Sequence, residues 1–135
     1  MSTARDVRRA YDRRLRTTGV NLKEASVLAH LADAGSLTQV ELANRIGVGR
    51  ANVGVVIDAL ESRSLVRRDA DPTDRRVWLV RLTPDGERVW RDTVQVDREI
   101  RKQLRLGISP RERDELDEIL MRIHVNVQSL LDDDR

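Results

Sequence analysis

The chain contains no cysteine and no phenylalanine, and aromatic residues make up only 2% of its 135 residues. The absence of cysteine excludes disulfides, thiolate metal sites and thiol-based redox sensing. With so few aromatic residues, the core must consist of Val, Leu, Ile and Ala packed between helices. We therefore expect an α-rich fold, and the length suits a single domain.

Long apolar runs are absent as well, since the longest extend over only a few residues. The N-terminus alternates Arg with polar residues and has no apolar stretch. We therefore predict neither a membrane span nor a secretory signal, and we expect a cytoplasmic protein.

The net charge is only +2, but the charges are unevenly distributed. Residues 1–20 hold six Arg against two Asp, residues 45–82 hold eight Arg against five acids, and residues 109–135 hold four Arg against eight acids. Basic and acidic regions of this kind suggest different partners. Most basic residues are Arg, which favours bidentate contacts to phosphate or carboxylate, although the base composition of the genome would give the same bias.

Capping residues and apolar residues at a spacing of three to four predict six helices. We expect capping boxes at Thr3 with Asp6, Thr38 with Glu41 and Ser109 with Glu112. The expected helices run from about Ala4 to Gly19, Asn21 to Gly35, Thr38 to Ile46, Arg50 to Ser64, Thr83 to Leu106, and Ser109 into the final DDDR.

Between the fourth and fifth helices the apolar period changes to two. The segments LVRRDA and VWLVRLT flank the turn DPTDRR, in which Pro72 fixes the chain direction. This pattern predicts a two-stranded hairpin with Arg75 and Arg76 at its tip.

Residues 39–60 have the spacing of a DNA-binding helix-turn-helix. Small or apolar residues stand where the two helices would touch: Leu42, Ala43, Ile46, Gly47, Val53 and Val56. Ordinary helical hairpins share such spacings, so these residues alone leave both interpretations open. The hairpin that follows favours a winged helix, and we expect Arg75 and Arg76 to face DNA rather than only solvent.

The segments ELANRIGV and VIDALESRSLVRRDADPTDRRVWLVRLTPDG resemble the MarR (multiple antibiotic resistance regulator) family of winged-helix transcription factors. The resemblance implies a mainly α fold with a small β-hairpin wing, in one domain of residues 1–135. Residues 1–20 and 106–135 would be dimerisation helices, residues 21–85 the winged helix-turn-helix lobe, and residues 86–105 a long connecting helix.

The same resemblance implies a homodimer on double-stranded DNA, with the recognition helix Gly49 to Ser62 in the major groove and Arg76 or Arg75 in the minor groove. Asp58, Asp71 and Asp74 would hold the wing arginines in place. The predicted DNA-binding residues are Thr38, Arg50, Ala51, Asn52, Gly54, Val55, Arg67, Arg68, Arg75 and Arg76.

The recognition helix departs from the family pattern, which often has Ser or Thr at its N-cap, because Gly49 occupies that position. Few groups remain to read bases. Arg50 would meet phosphate or guanine, Asn52 adenine, and Val55 a thymine methyl group. Gly54 would allow a close backbone approach to DNA, and we expect a specificity that depends partly on DNA shape.

The last helix has a wide apolar stripe, which favours an intersubunit contact over core burial within one chain. The predicted dimerisation residues are Val7, Tyr11, Leu116, Leu120, Ile123, Val127 and Leu130. The resemblance further implies a pocket for a small lipophilic or phenolic effector, which we place at Tyr11, Leu15 and His30.

Other residues favour structural roles. His30 and His124 lack the partners of a metal site, and Trp78 and Trp90 are better explained by packing than by a cofactor. The acidic patch ERDELDE lacks a cleft, a nucleophile and an oxyanion donor, so we predict no metal, no cofactor and no enzyme.

The sequence thus predicts a homodimeric repressor of a pseudo-palindromic operator, relieved by a small-molecule effector. Two alternatives remain: a winged-helix module for protein interaction, motivated by the sparse polar face of the recognition helix, and a low-specificity architectural DNA binder, motivated by the Arg-rich segments.

Overall fold

The computed structural model describes residues 2–132 and has six α-helices and one hairpin in this range. The helices are α1 (Thr3–Leu15), α2 (Leu22–Ala34), α3 (Gln39–Ile46), α4 (Arg50–Ser62), α5 (Pro84–Leu104) and α6 (Pro110–Asp132); the strands are β1 (Val66–Ala70) and β2 (Trp78–Leu82). A short 3-10 helix, Arg16–Thr18, extends α1. The expected α-rich fold with a hairpin wing is confirmed. The chain divides into two compact units, with the boundary between residues 100 and 101. The last helix was expected to continue into residues 133–135, which lie outside the described range.

Helix starts follow the capping chemistry in most places. Asn21 and Thr38 form the capping boxes of α2 and α3 with Glu24 and Glu41. Ser109 and Glu112 exchange the same pair of hydrogen bonds, of 2.8 and 3.2 Å, at the start of α6. Each box satisfies amide groups that have no partner within the helix.

The capping box expected at Thr3 and Asp6 is wrong. The helix begins one residue earlier than the pattern suggested, with Ser2 as N-cap, because the Asp6 amide donates to the Ser2 carbonyl at 3.1 Å. Thr3 is therefore the first helical residue and not the cap.

The hairpin is antiparallel, with Val66 opposite Leu82 and Ala70 opposite Trp78. Leu37, between α2 and α3, forms an additional bridge: its amide donates to the Val80 carbonyl at 3.1 Å, and the Val80 amide donates back at 2.8 Å. This bridge attaches the base of the wing to the helices beneath it.

The core of the first unit lies between α2, α3, α4 and the base of the hairpin. It is aliphatic, as the composition required. Its buried members are Val20, Val27, Leu28, Leu31, Leu37, Leu42, Ala43, Val53, Ile57, Leu60, Leu65, Val66 and Val80. Burial of these side chains supplies most of the driving force for folding of this unit.

In the second unit, α6 has no buried residue. The apolar stripe predicted for it is exposed in the single chain, with exposed fractions between 43% and 67% for Leu116, Ile119, Leu120, Ile123, Val127, Leu130 and Leu131. Within residues 2–132, no helix is long and apolar enough to cross a membrane.

Candidate nucleic-acid interface

Three residues join α3 to α4 and set the helix-turn-helix. Gly47 ends α3 in the left-handed conformation, with φ of 75°, and its amide donates to the Ala43 carbonyl at 2.9 Å. A side chain at this φ would be strained, so glycine suits the turn. Thr38 uses its hydroxyl to cap α3, accepting from the Glu41 amide at 3.2 Å.

A contact that the sequence did not predict connects the two helices at their N-termini. The Gln39 side chain donates through Nε2 to the Arg50 carbonyl at 3.0 Å. A Cβ atom added at Gly54 would lie 2.8 Å from the same Nε2 atom. Gly54 therefore makes room for Gln39 of α3, and its predicted role in a close approach to DNA stays a prediction.

The first turn of α4 faces solvent. Arg50, Ala51 and Asn52 are exposed, and Val55 is 69% exposed one turn later. This first turn has no acidic residue and Gly49 provides no side-chain cap, so the positive end of the helix dipole is uncompensated. Such a helix start suits a phosphate group.

The wing tip, residues 71–77, is shaped by two aspartates. Asp71 Oδ1 accepts from the amide and the hydroxyl of Thr73, both at 2.7 Å. Asp74 holds the Arg76 guanidinium through both carboxylate oxygens, at 3.0 and 3.1 Å. Asp71 was expected to hold an arginine and instead organises the turn.

Electrostatics at the tip follow from these bonds. The Arg76 side chain, together with the Arg76 amide, lowers the pKa of Asp74 below its ordinary value. The bonds from Thr73 lower the pKa of Asp71 in the same way. Arg75 is exposed and has no hydrogen-bond or ion-pair partner within residues 2–132, so the tip presents one oriented and one uncommitted arginine.

Arg68 belongs to the wing base and not to the tip. Its guanidinium meets Asp58 at 2.7 Å and Glu61 at 2.9 Å, both on α4, and its side chain is only 24% exposed. Desolvation would lower the pKa of Arg68, but the hydrogen bonds and charges of Asp58 and Glu61 outweigh it and raise the pKa. Arg68 thus joins β1 to α4 through Glu61 and through Asp58, which is one of the acids expected to hold wing arginines. The contact with DNA predicted for Arg68 stays a prediction.

Arg67 points to the other face of the hairpin. It lies directly opposite Arg81, and Asp69 Oδ2 is 3.0 Å from Arg67 Nε and 3.1 Å from Arg81 Nε. The Asp69 carboxylate thus accepts a hydrogen bond from Arg67 and forms an ion pair with Arg81.

The residues predicted for an effector pocket differ in exposure. Leu15 is only 2% exposed, and the Tyr11 hydroxyl donates to Asp97 Oδ1 at 2.8 Å. His30 is half-buried on α2. The effector pocket stays a prediction.

The sequence analysis did not predict two further structural contacts. Arg63, after α4, donates to the Gly19 carbonyl at 2.6 Å and meets Glu24 at 2.7 Å. Gly86 packs so closely on the backbone of Leu65 that a Cβ atom there would lie 1.9 Å from the Leu65 carbonyl oxygen. Both contacts join segments that are far apart in sequence, and only the glycine of the LTPDG motif marked either position.

Comparisons with known proteins agree with this geometry. The MarR family model matches residues 20–78. YdgJ, an HTH-type transcriptional regulator of Bacillus subtilis (strain 168), is 27% identical over 113 residues, which are 84% of this chain and 69% of the relative. The structure of Bordetella bronchiseptica BpsR, described for the regulation of its DNA binding by 6-hydroxynicotinic acid, matches with 28% identity and a TM-score of 0.71, covering 92% of this chain and 99% of that chain. A mutant of Escherichia coli MarR complexed with operator DNA shares the fold at 24% identity and a TM-score of 0.83, covering 89% and 86%.

The helix pair and the arginine-tipped hairpin define a winged-helix DNA-binding protein that regulates transcription. The family model covers the segment from the start of α2 to the start of β2, and the structural matches extend over most of the chain. Over residues 20–78 the chain thus matches the MarR family, which its wing sequence resembled, and the relatives named above are described as transcriptional regulators.

Proposed function

We propose that the protein is a homodimeric repressor that binds a pseudo-palindromic operator. The observation that carries this proposal is the placement of two DNA-suited elements on one compact unit. The exposed first turn of α4 has a free helix dipole, and the wing tip presents Arg75 and Arg76. In such an arrangement α4 enters the major groove and the wing reaches the adjacent minor groove.

Within this proposal, Arg50, Ala51, Asn52 and Val55 meet bases or phosphates, and Arg76 enters the minor groove in the orientation that Asp74 gives it. Arg75 supplies a second positive charge. Thr38 contributes through the start of α3, where its side chain already caps the helix. A mutant of Escherichia coli MarR with the same fold was solved in complex with operator DNA, which supports DNA as the partner.

Dimerisation in the proposal uses α1 and α6, including Val7, Tyr11 and the exposed stripe of α6. An apolar stripe of this extent is unfavourable in water and suits a second copy of the chain. A two-fold dimer would place its two recognition helices about one DNA turn, roughly 34 Å, apart. Release by a small lipophilic or phenolic effector would act by changing that spacing, and the regulation of BpsR by 6-hydroxynicotinic acid supports such control.

The test is selection of bound duplexes from a random DNA pool by the purified chain at near-physiological salt. We expect enrichment of an inverted repeat with half-sites about one turn apart. A folded, dimeric protein that enriches no sequence would contradict the repressor. DNA affinity that falls with salt equally on all sequences would then indicate an architectural binder, and no DNA affinity would indicate a protein-interaction module.

Two variants refine the test on the selected operator. Replacing Arg76 by Ala should weaken binding to all sequences and reduce the slope of log affinity against log salt by about one unit. Replacing Asn52 by Ala should relax discrimination at one base position by about 1–3 kcal/mol. An unchanged salt slope would argue against the wing contact, and a uniform loss on all sequences would make Asn52 a backbone contact.

A further inference from the structure

The first residues of α4, 50–53, form a turn that is weak as a helix on its own. Gly49 precedes them as N-cap and provides no side-chain hydrogen bond, so the first amides lack the acceptor that Ser, Thr, Asn or Asp would supply. Gly54 follows them, and a glycine inside a helix costs about 1 kcal/mol relative to Ala. Contacts from outside α4 must therefore hold this turn in place.

Side chains of the core and of α3 supply such contacts. Val53 is buried and anchors the turn in the aliphatic core. Gln39 reaches the start of the turn, where its Nε2 atom donates to the Arg50 carbonyl at 3.0 Å. A carbonyl oxygen has two lone pairs, so it can accept this bond together with the helical bond from the amide four residues later. The bond from Gln39 therefore adds to the helix and displaces none of its own hydrogen bonds.

Gln39 extends from a part of the chain that is itself well held. It is the first residue of α3 and follows Thr38, whose hydroxyl accepts from the Glu41 amide at 3.2 Å while the Glu41 carboxylate accepts from the Thr38 amide at 2.8 Å. One residue earlier, Leu37 exchanges two backbone hydrogen bonds with Val80. The first turn of α4 is thus tied to a start of α3 that is fixed by the capping box and by the wing base.

The Gln39 amide occupies space that residue 54 leaves open. A Cβ atom added at Gly54 would lie 2.8 Å from Gln39 Nε2, and its three nearest neighbours would all be atoms of the Gln39 side chain. An alanine at this position would therefore push the flexible amide away from the Arg50 carbonyl, while it would improve the helix propensity of α4. Gly54→Ala thus separates the placement of the turn from the stability of the helix.

We propose that Gln39 and Gly54 are a positioning pair that sets how strongly the first turn of α4 discriminates between bases. The proposal rests on the base contacts proposed above for Arg50 and Asn52. A hydrogen bond to a base edge weakens steeply when its angle is poor. A turn that is already held in one place also loses less conformational freedom on binding than a turn that DNA must order. The pair supplies order that Gly49, as N-cap, does not.

The first experiment uses the free full-length protein. Gln39→Met keeps the length of the side chain and adds no charge, but it removes the donor. The amides of Val53, which donates to the Gly49 carbonyl, and of Gly54 should then exchange with solvent about three- to tenfold faster, the effect of one neutral hydrogen bond. Unchanged exchange would overturn the proposal, whether or not the protein is a regulator.

The second experiment measures affinities for the operator selected above and for its single-base variants. Gln39→Met and Gly54→Ala should each reduce discrimination about three- to tenfold at the base position that Asn52→Ala also relaxes, with an unchanged salt slope. Gly54→Ala should do so without lowering the free energy of unfolding, which a purely structural role would not produce.

The failures of the two proposals differ in this experiment. A wild-type chain that selects no operator would contradict the regulator. A wild-type chain that discriminates, together with a Gln39→Met variant that discriminates equally, would contradict only the positioning pair. A reduced salt slope in Gln39→Met, with equal loss on all sequences, would make Gln39 a phosphate contact and also refute the pair.

A double variant and a control complete the test. When Gln39→Met and Gly54→Ala are combined, their losses should not add, because the second change acts through an amide that is already absent. Additive losses would show that Gly54 meets DNA on its own and would refute the pair. Asn44→Leu is the matched control, since it replaces an exposed amide of α3 by an apolar group of similar size. It should leave discrimination unchanged, and an equal loss would reveal a general disturbance of α3 and overturn the proposal.

Discussion

Gly86 occupies the first turn of α5 at a place where the backbone of the preceding segment passes. Thr83 holds that segment from two sides. Its hydroxyl donates to the Ser64 carbonyl at 2.5 Å and accepts from the Gly86 amide at 3.0 Å, while its amide donates to the Leu65 carbonyl at 3.1 Å. The contact partner of residue 86 is thus a fixed carbonyl oxygen and cannot move aside as a side chain could.

Replacing Gly86 by Ala should therefore lower the free energy of unfolding by about 1–3 kcal/mol or more, as overpacking does in a rigid site. Urea denaturation measures this change. Gly49→Ala is the control, because its new Cβ would meet only the Asn52 side chain at 4.0 Å, and it should cost no more than about 1 kcal/mol, the preference of an N-cap for Gly over Ala. Equal effects of the two substitutions would show that the close approach at Gly86 is not structurally important.

The pairing of Asp74 with Arg76 gives the wing tip a defined pH dependence. Because the folded state lowers the pKa of Asp74, the pairing is fully present above the ordinary carboxyl pKa, about 4, and is lost as the pH falls through the lowered value. Carboxyl carbon NMR should show Asp74 titrating below its ordinary value. Arg76→Ala should move the titration upward, since the Arg76 side chain is the largest cause of the shift. An unchanged titration in that variant would place the cause elsewhere.

At the scale of elements, the contact between Gln39 and Gly54 links the start of α3 to the second turn of α4. Glycine inside a helix costs about 1 kcal/mol relative to Ala. In this helix the glycine leaves space for the Gln39 side chain, which donates a hydrogen bond to the Arg50 carbonyl. The turn that carries Arg50 is thereby attached to α3 as well as to its own helix.

A double-mutant cycle separates the two contributions. Gly54→Ala in a Gln39→Ala background should stabilise the protein by up to about 1 kcal/mol, since only helix propensity changes. In the presence of Gln39 the same substitution should give a smaller gain, because the new Cβ would displace the amide that lies 2.8 Å away. Urea denaturation of the four proteins measures the coupling, and equal gains in both backgrounds would contradict it.

Element boundaries were predictable wherever the signal is local. A capping box lies within four residues, so Asn21, Thr38 and Ser109 marked their helices in the sequence. At the first helix the same pattern at Thr3 failed, because Ser2 precedes it and starts the helix one residue earlier.

Contacts between distant segments could not be read in the same way. The bridge between Leu37 and Val80 involves a single residue outside any strand and has no periodic pattern. The family resemblance named Asp58 as an acid that holds wing arginines, but its pairing with Arg68 in particular, and the second contact from Glu61, depend on how β1 crosses α4. The contact between Asp74 and Arg76 at the wing tip was easier to predict, because the two residues are only two positions apart in the sequence.

At the scale of the whole molecule, the stripe of α6 is a row of exposed large apolar side chains, with exposed fractions of 43–67%. If it forms the dimer interface, Leu120→Asp or Ile123→Asp should convert the dimer to monomer, because an unpaired carboxylate would be buried. Sedimentation velocity measures the change. Ser129→Asp adds the same charge about half a helical turn from the stripe and should leave the dimer intact. Dimers that persist in both stripe variants would place the interface elsewhere.

The wing is attached only at its base. Leu37 bonds to Val80, Arg68 bonds to α4, and Thr83 bonds to Ser64 and Leu65. The hydrogen bonds described above for residues 71–77 join residues of the tip to one another. The hairpin is therefore held to the rest of its unit at the base, while its tip is held by its own hydrogen bonds. Amide hydrogen exchange should accordingly be slow at Leu37 and Val80 and fast at Thr73 and Arg75. In the binding mode proposed above, such an attachment would let Arg75 and Arg76 follow variations in groove width without moving α4.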